Sequence, residues 1–217
     1  MVVFCMVLLF LVLFAMGYIY EKKRSEKLQL AAQSLRLFFE KEGSINIIEQ
    51  HFGQFPLFSG GSGKKIRNRM YGTVDDVDVM VFGYQYTVLG AGPDSTSTTY
   101  KQTVASFHSS KMNLPGFELR PENLFHKIGG ILGYQDIDFD THPDFSRYYL
   151  LRGSLESAIR SVFSSPVLSF FEQHKGLCVE AQGNTLLCYR QKKRVKPHEI
   201  KLFFEEGYRI LRLFYSV

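Results

Sequence analysis

The sequence predicts an α+β fold, in which an N-terminal transmembrane helix is followed by an antiparallel sheet domain with packed helices. Three observations carry this expectation. An unbroken apolar run opens the chain, alternating β-rich segments separated by polar turns fill its middle, and amphipathic helical patterns interrupt and close the strand series.

The opening run, "VVFCMVLLFLVLFAMGYIY" from Val2 to Tyr20, holds no charged residue. As a helix it is long enough to cross about 30 Å of hydrocarbon. A cleaved signal peptide is the rival reading, supported by the small-x-small "AMG" at Ala15 to Gly17. No basic residue precedes the apolar run, however, and a dense basic cluster follows it, the reverse of a signal peptide's charge order. Residues 1–20 are therefore expected to be an uncleaved anchor, with Tyr18 and Tyr20 in the interfacial belt. Lys22, Lys23, Arg24 and Lys27 follow at once, so the positive-inside rule places the C-terminal domain in the cytoplasm, where thiols stay reduced.

Residues 21–63 read as a helical connector with a Gly-rich joint. In "SEKLQLAAQSLRLFFEKEG", Leu28, Ala31, Ala32, Leu35, Phe38 and Phe39 share one helical face, and Gly43 is the expected stop. "SGGSGKKI" misses the phosphate-cradling P-loop pattern, because Phe58 stands where its first Gly belongs and Lys65 where Ser or Thr belongs. It reads as a joint into the sheet.

Residues 64–217 read as the α+β domain. "KKIRNRMYGTV", "DVDVMVFGYQYTV" and "TYKQTVASFHSS" form an expected meander, the second run apolar on both faces like a central strand. "GAGPDS" lacks the last Gly of a dinucleotide fingerprint and is a turn. "PENLFHKIGG" offers a short helix opening at Pro121, and "QDIDF" and "SRYYLLRG" offer strands. "SLESAIRSVFSSPVLSFFEQHKG" reads as a helix capped by Ser154 and bent near Pro166. "LCVEAQGNTLLCYRQKK" is a hairpin turning at Gly183-Asn184, and an amphipathic helix closes the chain. A three-residue turn would set Cys178 opposite Cys188, whereas a two-residue turn would not.

Candidate chemistry is sparse. "DIDFDTHPDFSR" starts like an EF-hand loop, but Thr141 replaces the turn Gly and Arg147 the bidentate Glu. A solvated strand face explains Asp136, Asp138 and Asp140 without a metal. Glu122 and His126 stand four apart on one helical face, suitable for a metal or for a simple hydrogen-bonded pair. If they converged with Asp138 and His142, a membrane-bound metal-dependent hydrolase would be the result. No cofactor or metal is otherwise expected, and nothing locates a nucleophile.

Several runs, among them "FPLFSGGSGKKIRNRMYGTV", "VMVFGYQYTV", "LPGFELRPENLFHKIG" and "VEAQGNTLLCYRQKKRVKP", resemble an uncharacterised family of small bacterial single-pass membrane-anchored proteins. The resemblance implies the anchored architecture and no functional residues. Gly83 stands where such proteins favour an Asp before the Tyr-x-Tyr.

Of 217 residues, 45% are hydrophobic and 20 are Phe, so the body of the chain is globular. The net charge of +5, with no recognised nucleic-acid motif, does not point to nucleic acid. Basic stripes at Lys64, Lys65, Arg67 and Arg69 and at Arg190, Lys192, Lys193, Arg194 and Lys196 suit contact with anionic lipid. The expectation is a membrane-anchored cytoplasmic binding or scaffold domain with a protein partner.

Overall fold

Helix α1 (Val2–Ser34) runs without interruption through the apolar stretch and well past it. Its first part, from Phe4 to Tyr20, is exposed throughout, whereas Arg24, Ser25, Leu28 and Ala32 are buried against the rest of the protein. The computed structural model describes residues 2–90, 96–122 and 136–215.

The helix stops before the expected Gly43. Arg36 adopts a left-handed φ of 57°, and the N–H groups of Arg36 and Leu37 donate to the Gln33 and Ala32 carbonyls at 3.0 and 2.9 Å. This is a Schellman termination with Arg in the place that glycine usually takes. Phe38–Gly43 then form strand β1, paired antiparallel with β2 (Ser62–Val74). Cross-strand pairing has overridden the helical periodicity of Phe38 and Phe39. A π-helical turn (Ile48–Phe52) and the one-turn helix α2 (Pro56–Ser59) connect the two strands.

Strands β2, β3 (Val77–Leu89) and β4 (Ser97–His108) form the expected meander. The first turn is the two-residue Asp75-Asp76, both with positive φ, as a tight hairpin requires. Strand β5 (Leu114–Pro121) ends at the proline expected to open a helix. Helix α3 (Pro143–Tyr148) takes the front of the expected "SRYYLLRG" strand and leaves β6 (Tyr149–Gly153) its end. Residues 136–139, the described part of the expected "QDIDF" strand, do not form one. Ile137 instead makes a single backbone bond to Leu151, whose N–H donates to the Asp136 carboxylate at 2.9 Å in place of a ladder carbonyl.

The bent helix resolves into α4 (Glu156–Val162) and α5 (Ser165–Gln173), the second with Pro166 in its first turn. Ser154 does not cap; Leu155 occupies the cap position and supplies no side-chain bond. Strands β7 (Cys178–Gly183) and β8 (Thr185–Tyr189) close through a two-residue turn, so Cys178 faces Tyr189 and Val179 faces Cys188. Both thiols are buried and free. A 3-10 turn (Pro197–Glu199) leads into α6 (Ile200–Tyr215).

Among the described residues the strands make one eight-stranded antiparallel sheet, in the order β1-β2-β3-β4-β8-β7-β5-β6. One face carries the larger core, where α1 beyond its apolar stretch and helices α3 to α6 cover residues such as Met70, Val81, Phe107, Leu119 and Leu151. The opposite face is capped over β2, β3, β4 and β8 by Phe52, Phe55 and Phe58 from the π turn, α2 and the residues between them; Phe52 and Phe58 stack on Phe82, and Phe58 meets Tyr84 edge to face. Strand β3 is thus buried on both sides, as its doubly apolar sequence predicts.

Candidate functional site

A crevice of about 190 Å³ opens where α1 crosses the middle of β2, β3 and β4. The sequence builds it through a bulge: Arg67 pairs with Gly83 but Met70 with Val81, so β2 carries one residue more than β3. Asn68, at φ 51°, absorbs the excess in the left-handed region that Asn tolerates. Its side chain is thereby turned onto α1, where Oδ1 accepts from the Ser25 hydroxyl at 2.6 Å. Below the bulge Arg67 lines the crevice. Beyond it Arg69 pairs with Glu40 and lies over the Tyr71 ring, so the expected Lys65-Arg67-Arg69 stripe is broken.

The charged lining comprises Arg24, Arg67, Lys101 and Arg194 against a single acid, Glu21. Arg194 grips Glu21 bidentately at 2.6 and 2.7 Å, and Lys101 stands 3.6 Å away. The Arg194 hydrogen bond holds the Glu21 carboxyl below its ordinary range. Arg24 is 8% exposed and donates to the Val195 carbonyl at 2.7 Å; burial lowers its guanidinium pKa. Gln102, fully buried, accepts from the Lys192 N–H at 3.0 Å. The Nε of Arg24 and the Nε2 of Gln102 have no acceptor among the described residues. Gly83 leaves the floor without a side chain, so no carboxylate enters from β3. Sequence reading found Arg24, Arg67 and Arg194 as members of separate clusters. It missed Lys101, Gln102 and Asn68, whose only signal is a polar residue inside a strand.

A second polar group lies under α2 on the other face. Glu118 and Glu180 are directly opposite on β5 and β7, and Arg152 of β6 is opposite Glu118. Tyr189 donates to Glu180 Oε1 at 2.6 Å and the Leu57 N–H of α2 to Oε2 at 3.1 Å. Arg120 bridges Glu118 and Glu180. Burial first, and the Glu118 carboxylate second, push Glu180 up to about 7. This network ties the α2 cap to the sheet.

Of the residues named for a hydrolase, the described ones, Glu122, Asp138 and His142, belong to no metal-binding group. Asp138 is exposed, and its backbone carbonyl accepts from Arg160 at 2.7 Å. His142 bonds Glu172 at 3.2 Å and Ser165 at 3.0 Å. Glu122 follows β5; burial, with smaller contributions from the Asp138 and Glu122 charges, raises the Asp136 pKa, and His126 lies outside the described residues. Among the described residues no group of three or more His, Cys, Asp or Glu side chains could hold a metal.

The sequence matches no protein-family profile and no curated protein. By structure, the chain is similar to the mycobacterial trehalose monomycolate transport factor A, TtfA, with a TM-score of 0.63 at 13% identity over 89% of this chain and 93% of that one. At this level of identity the likeness is one of fold.

Proposed function

We propose that this chain is a membrane-anchored binding or scaffold domain held at the cytoplasmic face by residues 1–20, on which a protein partner assembles. The observation that carries the reading is the continuity of α1. One helix has wholly exposed apolar residues from Phe4 to Tyr20 and a buried, packed second half. An exposed apolar surface of that length is unfavourable in water and matched to a bilayer. With no flexible linker between the two halves, the domain has one orientation at the membrane instead of a range of them. Lys22, Lys23, Arg24 and Lys27 set the side. That a protein of similar fold is described as a transport factor is in keeping with an accessory role of this kind.

Alkaline carbonate washing of isolated membranes, followed by protease treatment of intact cells, tests both parts. The protein should remain in the pellet until detergent is added, and the domain should survive external protease. Release by carbonate would refute the anchor, and digestion from outside would refute the orientation.

A further inference from the structure

We propose that the α1 crevice binds the anionic phosphate ester of a phospholipid headgroup from the leaflet in which α1 is seated. The inference deepens the anchored reading and rests on it for the source of the ligand. Two features of the crevice's chemistry converge. It gathers Arg24, Arg67, Lys101 and Arg194 around one carboxylate, so it keeps a positive excess even though Glu21 engages Arg194 and Lys101. It is lined by one buried cationic donor with no acceptor among the described residues, Arg24 Nε. Leaving such a group unpaired is costly, and an incoming oxygen anion removes that cost. The missing partner must be an acceptor, because the orphan atom is an N–H donor.

Position selects the phospholipid among anions. Arg24 lies four residues beyond Tyr20, the last residue of the apolar run, which is about 6 Å along a helix. The headgroup layer of a leaflet is about 5–7 Å deep outside the hydrocarbon. The crevice mouth and the phosphate layer therefore stand at one level. Size agrees: about 190 Å³ is well below the roughly 300–1,000 Å³ of pockets that enclose whole small molecules, so a headgroup enters while its acyl chains stay in the bilayer beside α1.

The full-length protein in a non-ionic detergent is titrated with short-chain phosphatidylglycerol, short-chain phosphatidylcholine or inorganic phosphate while its melting temperature is followed. Phosphatidylglycerol should give a saturable rise of roughly 5–10 °C at a hundredfold excess over its dissociation constant, and phosphatidylcholine and inorganic phosphate should give no saturable rise. Arg67→Gln and Lys101→Ala, both at exposed positions, should keep the circular dichroism spectrum and each weaken phosphatidylglycerol about fivefold. A saturable response to inorganic phosphate without one to phosphatidylglycerol would make the ligand a free ion and overturn the headgroup assignment. Equal responses to the two lipids, no response at all, or variants that respond like the wild type would overturn the site. Because no bilayer is used, a protein that carbonate releases from membranes can still give any of these results, and the two failures are told apart.

Discussion

Glu180 is the residue on which stability should depend most directly on pH. It is fully buried, hydrogen-bonded by Tyr189 and by the Leu57 N–H, and faces a second carboxylate. Its pKa is raised from 4.5 to about 7 in the folded protein. Between those values the folded state holds more protons at this site than the unfolded chain does. Stability contributed here is therefore full at low pH and is lost as pH rises through the window. The loss amounts to a few kcal/mol, on the order of 1.4 kcal/mol per pH unit. Glu21 works in the opposite sense, since Arg194 lowers its pKa and its stabilisation disappears as pH falls. Urea melts of wild type and Glu180→Gln across pH 5 to 8 separate the two. The variant's curve should be flatter, and parallel curves would show that Glu180 is ionised in the folded state throughout.

Among the elements, α6 shows how close packing fixes a helix on a sheet. Gly207 sits over β4, and a Cβ there would lie 2.8 Å from two ring atoms of Phe107, which is itself fully buried. Phe107 is held from the other sides by Phe204 and Tyr208 of the same helix. The ring cannot yield without displacing them. Gly207→Ala, which raises intrinsic helix propensity by about 1 kcal/mol, should nonetheless lower stability by roughly 1–3 kcal/mol through overpacking. A higher melting temperature would mean that α6 can lift away from β4. The Asn68 bulge plays a comparable positioning part for α1, because without the extra residue in β2 its side chain could not reach Ser25.

For the whole molecule, the two halves of α1 should contribute very differently to folding. Residues 4–20 bury nothing, whereas Leu28 and Ala32 enter the main core at 3% and 0% exposure, and Ser25 is bonded to the bulge. A chain beginning at Glu21 should therefore melt near the temperature of the intact protein in detergent. One beginning at Leu35 loses those apolar contacts and leaves Asn68 without its partner, so it should melt at least 5 °C lower, given a cost of 2–5 kcal/mol for emptying a single large core site. Equal stability of the two fragments would reduce α1 to a tether and remove the fixed orientation on which the functional reading depends.

The sequence by itself determined the long apolar helix, the β2-β3-β4 meander, the β7-β8 hairpin, the closing helix and the α+β class, because each is written in local periodicity and turn chemistry: strand alternation, Gly183-Asn184, the stripe of α6. Only the tertiary structure decided the rest. Phe38 and Phe39 follow a helical spacing yet join a strand, since pairing with β2 outweighs a helix whose end is already closed at Arg36. Asp136 to Phe139 alternate like a strand yet make one backbone bond to β6, since the Asp136 carboxylate takes the ladder position. The crevice was illegible for a further reason. Its charged residues come from positions 21 to 194, each an ordinary side chain in its own segment. What distinguishes them is convergence around the unpaired Arg24 donor, and that arises only when α1 is laid across the sheet.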